Sequence, residues 1–267
     1  SEMCIRDSLC VVRPASTQEV SQIVKLAISF QVKIVPVGGN TGLNGGTHSD
    51  NAISISMERM NRIHEIRSSS KIAIVEAGVI LTSLHEAASD NNLKFPLTFG
   101  ARGSATIGGV LSTNAGGSNV LKYGSTRDLV LGVEIVLPNG EIMDLMSELH
   151  KDNSGYCLRD LVFGAEGTLG IVTKAVVKLF PKPKAFATAM VAVKNLNGAL
   201  VLLNELQDGT GGADAAYEYM PKRYIQGYLE LSDAYRKPFE IVYDHLIMVE
   251  LVTTVKLFSQ SGTDGQV

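Results

Sequence analysis

From Leu9 onward the apolar and polar positions repeat with a period that switches between that of a strand and that of a helix. Leu9 to Val12 reads as a short strand. Ser16-x-x-Glu19 has the spacing of a capping box, and the helix it opens would set Val20, Ile23, Val24, Ala27 and Ile28 on one face. Lys33 to Val37 (KIVPV) predicts the next strand, closed by GGNTGLNGG, and Ala52 to Met57 alternates as another. Ile63 to Ile66 and Lys71 to Ala77 flank a serine turn and read as a hairpin. Thr82 is placed to cap a helix that uses Leu84, Ala87 and Ala88.

The pattern then thins into GARGSATIGGVLSTNAGGSNVLKYG, Gly100 to Gly124, with seven glycines in twenty-five residues. Only Ile107 to Leu111 reads as a helix there. Beyond it, Leu129 to Leu137 and Glu141 to Leu145 surround Asn139-Gly140, a strong hairpin signal. Leu158 to Phe163 predicts a short helix, GAEGTLG follows, and Ile171 to Leu179 is a strand. Two prolines in PKPK, Pro181 to Lys184, cannot continue a central strand and mark a domain boundary.

A second α+β region follows. Ala187 to Val193, Ala215 to Tyr219 and His245 to Val252 read as strands. Gly198 to Leu206 reads as a helix with Leu200, Leu203 and Leu206 inward, and another lies near Arg223 to Glu230. The closing FSQSGTDGQV has neither cap nor strand pattern, as if the chain were cut within this domain. SEMCIRDS, Ser1 to Ser8, has no helical period and no signal-peptide core, and is set aside as non-fold sequence. The expected organisation is therefore 1–8 outside the fold, 9–183 as a first domain and 184–267 as a partial second domain.

Composition changes the picture in three ways. With 267 residues, 45% of them hydrophobic, the chain can bury a core. A net charge of −3 argues against a nucleic-acid surface, so an anionic ligand would have to be held locally. Cys4, Cys10 and Cys157 form no C-x-x-C pair or zinc spacing, so no metal is expected. No apolar run of eighteen or more residues predicts a membrane span.

Local holding of an anion is what the glycines suggest. The segments Gly38 to Gly46 and Gly100 to Gly117 contain one cationic side chain, Arg102, so backbone must supply the donors. Glycine lets successive N–H groups converge on one anion. Thr41, Ser104 and Thr106 add hydroxyls, and the helix at Ile107 is expected to aim free N–H groups at the same place. No P-loop or Rossmann fingerprint is present. A branched side chain at Gly39 or Gly109 is expected to block the ligand while leaving the fold intact.

These segments resemble the FAD-binding domain of the vanillyl-alcohol-oxidase and p-cresol-methylhydroxylase (PCMH) type. VVRPASTQEVSQIVKLA is similar to that family's opening strand and helix, and VPVGGNTGLNGG to its first pyrophosphate loop. PLTFGARGSATIGGVLSTNAGG, KYGSTRDLVLGVEIVLPNGEI and HKDNSGYCLRDLVFGAEGTLGIVTKAVVKLFPKP follow in the family's order. Within it the chain most resembles the D-2-hydroxyglutarate, D-lactate and glycolate dehydrogenases, FAD-linked oxidases. The resemblance implies an α+β fold: a two-subdomain FAD-binding domain of the PCMH type, then a partial α+β cap, or substrate, domain. It implies FAD held by Gly38, Gly39, Asn40, Thr41, Gly42 and Leu43 on one side. On the other it implies Pro96, Gly100, Gly103, Ser104, Ile107, Gly108, Gly109, Asn114, Gly116 and Gly117, with Tyr123, Glu166, Gly170, Ile171 and Val172 as further contacts. His48 is not at the position expected of a covalent link, so the FAD is expected to be non-covalent. Glu166 reads as a cofactor contact, not a catalytic acid.

The implied reaction is oxidation of a small-molecule D-2-hydroxy acid by hydride transfer to flavin N5. Electrons would leave to an acceptor such as an electron-transfer flavoprotein, a quinone or a cytochrome, in the bacterial cytoplasm or the mitochondrial matrix, with a homodimer as one assembly. The family's substrate-side residues and metal ligands fall beyond the end of this chain, so the catalytic residues are unknown and flavin binding without turnover is expected. Lys222, Arg223 and His245 read as solvated or strand-end groups, and His64, His85 and His150 have no assigned role. A cut cap would leave Leu246, Ile247 and Val249 incompletely covered. Two other readings compete: a flavin reductase of the same fold, such as UDP-N-acetylenolpyruvylglucosamine reductase, and a non-enzymatic nucleotide-binding or scaffold module, which would carry no reducible flavin.

Overall fold

The computed structural model describes residues 8–232 and 234–255. The expectations for Ser1 to Asp7 and for FSQSGTDGQV lie outside the described residues. The chain divides into two compact units, one of residues 8–117 with 123–181, the other of residues 118–122 with 182–255. The division after Pro181 falls two residues before the boundary read from the prolines, and residues 118–122 join the second unit.

In the first unit β1 (Cys10–Val12), β2 (Lys33–Val37) and β3 (Ala52–Ser56) form a parallel sheet in the order β1-β3-β2. Helix α1 (Thr17–Ser29) joins the first two strands. Its N-cap is Ser16, whose Oγ accepts the Glu19 N–H, while the Glu19 carboxylate reaches back to the N–H of Ala15, so the box closes one residue early. Its buried face is Val20, Val24 and Ala27 with Thr17 and Ser21; Ile28, expected inward, is exposed.

An antiparallel five-stranded sheet follows, ordered β4-β5-β9-β7-β8. Its strands are β4 (Ile63–Arg67), β5 (Ile72–Glu76), β7 (Val130–Val136), β8 (Ile142–Leu145) and β9 (Ile171–Lys178). The hairpin at Asn139-Gly140 forms with Pro138 and Asn139 in the turn and Gly140 at φ 81°, where its carbonyl accepts from Ser21 Oγ of α1. Helix α2 (Leu81–Asp90) starts one residue before Thr82. The Thr82 hydroxyl donates to the Arg102 carbonyl instead of capping, and the capping position is Ile80. Two short strands, β6 (Leu93–Lys94) and β10 (Phe180–Pro181), pair with each other. Helix α3 (Ile107–Ser112) packs Ile107, Val110 and Leu111 into the core with Leu84, Val75, Val133 and Val177, and α4 (Val120–Tyr123) is a single turn. The predicted helix at Leu158 to Phe163 is a 3-10 turn over Leu158–Leu161.

In the second unit β11 (Ala185–Ala192), β12 (Asp214–Pro221) and β13 (His245–Thr253) form an antiparallel sheet with β13 central. Helix α5 (Leu196–Thr210) is capped by Asn195, whose Oδ1 accepts the Gly198 N–H at 2.9 Å, and α6 (Lys222–Glu230) follows β12. The face of α5 that packs inward is Ala199, Leu202 and Leu206, and Leu200, expected inward, is exposed. Ile247 and Val249 pack beneath that face, and Leu246 is buried as well, which overturns their expected exposure.

Candidate functional site

A cleft of about 540 Å³ opens in the first unit, within the size range of cofactor sites. Three stretches of chain line it: Pro36 to Thr47, Ala105 to Gly116, and Glu166 to Val172, with Met57 and Phe99 at its edges. Of the predicted contacts, Gly38, Gly39, Asn40, Thr41, Gly42, Leu43, Gly108, Gly109, Gly116, Glu166, Gly170, Ile171 and Val172 lie on its wall.

The others lie elsewhere. Ile107 is wholly buried in the core, and Pro96 is buried in the segment leading to the second loop. Gly100 and Gly103 begin and end a 3-10 turn with open space at their Cβ positions. Ser104 supplies the carbonyl against which Gly39 packs. Asn114 Oδ1 accepts the Arg127 N–H at 2.9 Å, and Gly117 fits under the Thr98 carbonyl. Tyr123 stands edge-on to Phe180 at 4.8 Å, with Lys94 Nζ 5.7 Å from its ring centre.

The two glycine segments are held together by the absence of side chains. A Cβ on Gly39 would lie 1.8 Å from the Ser104 carbonyl oxygen, and one on Gly38 would lie 2.4 Å from Thr106 Oγ1. A branched residue at Gly39 would therefore force the segments apart, so the expectation of an intact fold is corrected for that position. Gly108 brings α3 against Ala77, where an added Cβ would sit 2.7 Å from the alanine methyl. The third stretch is tied in by the Glu166 N–H, which donates to the Ser112 carbonyl at 2.9 Å, and by Gly167 over the Pro36 ring.

Hydrogen bonding separates the two segments. The start of α3 has no free donors: Ile107 N–H goes to Val79 O, Gly108 N–H to Ala77 O, and Gly109 N–H to Thr106 Oγ1. The expectation that this helix aims free N–H groups at the ligand is thus overturned, because its first turn is spent on the β5–α2 connection and on its own cap. Along Gly39 to Gly46, by contrast, no N–H group has a partner among the described residues. Thr47 Oγ1 donates to Asn40 Oδ1 at 2.6 Å and steadies Asn40 at φ 50°. Leu43 at the loop tip is 98% exposed.

Glu166 is the one charged side chain on the wall. A smaller cleft of about 180 Å³ on the other side of the first loop holds Arg13, already paired with Glu58 at 3.1 Å. Arg102 is exposed and does not reach the main cleft. Any anion held here would be held by backbone N–H groups and neutral side chains such as the Thr41 hydroxyl, not by a cation. His48 is exposed, His85 Nε2 meets the Leu97 carbonyl at 2.8 Å, and His64 sits 3.3 Å from buried Glu76. His150 meets the Ser70 carbonyl at 3.0 Å, His245 meets the Tyr219 hydroxyl at 2.8 Å, and Lys222 pairs with Asp244 at 3.3 Å. Cys10 and Cys157 are free and exposed. Among the described residues no cluster of three or more His, Cys, Asp or Glu could hold a metal, and no helix is long and apolar enough to cross a membrane.

Thr106, expected as a hydroxyl of the site, lies on the wall, whereas sequence reasoning missed Thr47, Ser112 and Thr113. The spacing in SATIGGVLST, hydroxyls at either end of one helical turn and a half, is the signal that could have found the last two.

A parallel three-stranded sheet, an antiparallel five-stranded sheet and a backbone-lined cleft define a flavin-dinucleotide domain, and the chain belongs to the FAD binding domain family, whose model matches residues 8–146. The donor set fits that cofactor: unspent N–H groups on one loop, no competing cation, and glycines at Gly42 and Gly45 with open space around them. Among curated proteins the chain is 37% identical over 238 residues to the mitochondrial D-2-hydroxyglutarate dehydrogenase of Arabidopsis thaliana, covering 89% of this chain and 43% of that protein. It is 36% identical over 221 residues to the D-lactate dehydrogenase of Archaeoglobus fulgidus, covering 82% of this chain and 49% of that one. The chain thus spans about half the length of the curated relatives it matches. Alkyldihydroxyacetonephosphate synthase shares the fold, with a TM-score of 0.75 at 21% identity over 91% of this chain and 46% of that one.

Proposed function

We propose that this chain is the cofactor-binding part of an FAD-dependent dehydrogenase that oxidises a D-2-hydroxy acid, D-2-hydroxyglutarate, D-lactate or glycolate, to the 2-oxo acid. The observation that carries the reading is the cleft: three separated stretches converge on one wall whose donors are backbone N–H groups. Bound FAD would supply the hydride acceptor.

The chain's own residues bind and orient. Gly39 to Gly46 would present N–H groups to the pyrophosphate, the glycines allowing close approach. Gly108, Gly109 and Gly116 would form the facing wall. Gly170, Ile171 and Val172, at the start of β9, would shape the wall with an apolar surface that excludes water. Glu166 would accept from the cofactor or from loop N–H groups, since no described residue donates to its carboxylate. No side chain of the cleft is positioned as a cation for a substrate carboxylate, so that role falls to other residues of the whole enzyme. Electron acceptors of the flavoprotein, quinone or cytochrome class, a homodimeric assembly, and the bacterial cytoplasm or mitochondrial matrix as its compartment complete the proposal.

The test is anaerobic mixing of the full-length, FAD-loaded enzyme with D- and L-2-hydroxyglutarate, D- and L-lactate, and glycolate, following the oxidised-flavin absorption. Bleaching by a D-acid or glycolate but not by the L-acids supports the reading. A protein that takes up no flavin, or a flavin bleached only by NADPH, would overturn it.

A further inference from the structure

In the first unit one carboxylate, on strand β7 inside the five-stranded sheet, is shared by three elements. Glu134 of β7 is only 13% exposed at its side chain. Its Oε1 accepts from Thr17 Oγ1 in the first turn of α1 at 2.5 Å and from Thr173 Oγ1 of β9 at 2.8 Å, and Lys174 Nζ lies 3.0 Å away. Asp144, opposite on β8, turns its own carboxylate to the Met146 N–H and does not compete.

Thr173 lies at one of the two breaks in the β7–β9 register. Glu134 pairs with Lys174 and Ile135 with Val172, so Thr173 is the extra residue of a bulge. A bulge bends its strand and re-aims what precedes it. Here the preceding residues are Gly170 to Val172, one wall of the cleft. On its other side Thr173 continues the β5–β9 ladder, its carbonyl accepting the Ala77 N–H (2.9 Å), and the Ala77 carbonyl takes the Gly108 N–H (2.7 Å) of the facing wall. A continuous path of hydrogen bonds therefore runs from α1 through Glu134, Thr173 and Ala77 to Gly108.

We propose that Glu134 is a positioning residue for the cofactor cleft: its carboxylate fixes the Thr173 bulge, and the bulge sets the spacing between the Gly170–Val172 wall and the Gly108–Gly109 wall. A buried carboxylate suits this task, because charge-assisted bonds from two hydroxyls and an ammonium hold the bulge in one geometry, where neutral groups would hold it less firmly. The binding consequence rests on the FAD reading; the geometric one does not.

Two variants of the full chain, Glu134→Gln and Thr173→Val, keep side-chain volume and remove the charge or the hydroxyl. Amide hydrogen exchange at Ala77 and Gly108 is measured without FAD, and FAD affinity is then measured by fluorescence titration. Both variants are expected to speed exchange at these two amides and to weaken FAD about tenfold, as loss of a buried charge-assisted bond implies, while Thr173→Ser restores both. Leu131→Ala, in the separate small cluster with Ile72 and Val176, lowers global stability, so it should speed exchange at these two amides no more than at other core amides and should leave FAD affinity unchanged. Wild-type exchange at Ala77 and Gly108 in the two variants would overturn the proposal, as would an equal FAD loss in Leu131→Ala. If the wild type itself takes up no FAD, the cofactor reading falls, and the exchange rates still decide the positioning claim.

Discussion

The two glycine-rich segments look alike as sequence and do opposite things. Gly38 to Gly46 keeps its backbone donors unspent and lifts its tip into solvent, whereas in Gly100 to Gly117 the donors that open α3, Ile107 to Gly109, are spent on the protein. In the first, Gly38 and Gly39 pack against Thr106 and Ser104, but Gly42 and Gly45 face open space that suits a ligand coming close. In the second it serves packing: Gly108 lets α3 lie on Ala77 and Gly117 slips under Thr98. Glycine density alone marks close approach of backbone to something, and what approaches is decided by where the N–H groups are already committed.

The contrast can be broken most severely at its packed end. Gly108→Val should lower stability by about 1–3 kcal/mol through overpacking, and Gly39→Ala, wedged against Ser104, should also destabilise; thermal unfolding of each variant checks this. In the open loop, Gly42→Ala meets nothing within 4 Å, so stability should hold to within about 0.5 kcal/mol. Its FAD affinity should nonetheless fall about tenfold, a cost of about 1.4 kcal/mol, because the added methyl stands where the ligand approaches. Equilibrium dialysis against FAD measures it. A smaller effect belongs to pH. Burial lowers the pKa of His85 below its ordinary 6.5, opposed by the Leu97 carbonyl and helped by Arg102 and Lys94. The native state thus resists protonation of this ring. The stability it contributes is complete above pH 6.5 and is lost as pH falls through the lowered native value. Denaturant midpoints at pH 8, 6 and 5 should fall in that order, and His85→Gln should flatten the trend.

Much of this fold is legible in the chain's own pattern. The strand Lys33–Val37 can be read to the residue, since KIVPV is bounded by a polar helix end and by glycines, and α3 stands out because Ile107, Val110 and Leu111 keep helical spacing amid glycine. Pattern and fold part where local spacing meets tertiary contact. Thr82 has the chemistry of a cap but finds the Arg102 carbonyl, a partner twenty residues away. Leu200 has the right period, but the face that meets Ile247 and Val249 is Ala199, Leu202 and Leu206. The start of α3 is not the anion site its dipole suggests, because no sequence pattern reveals that Val79 and Ala77 already accept its first N–H groups. The role of Glu134 is invisible in sequence for the same reason: its partners lie at Thr17 and Thr173, and only the fold brings them together.

The central claim is that one loop offers its backbone to the cofactor while the other only supports it. Amide hydrogen exchange of the full chain, resolved by residue and compared with and without saturating FAD, tests this most directly. Gly39 to Gly46 should exchange quickly alone and gain strong protection with FAD, while Ile107 to Val110 should be protected in both states and change little. Protection gained at Ile107 to Gly109, with Gly39 to Gly46 still exchanging freely, would contradict the account.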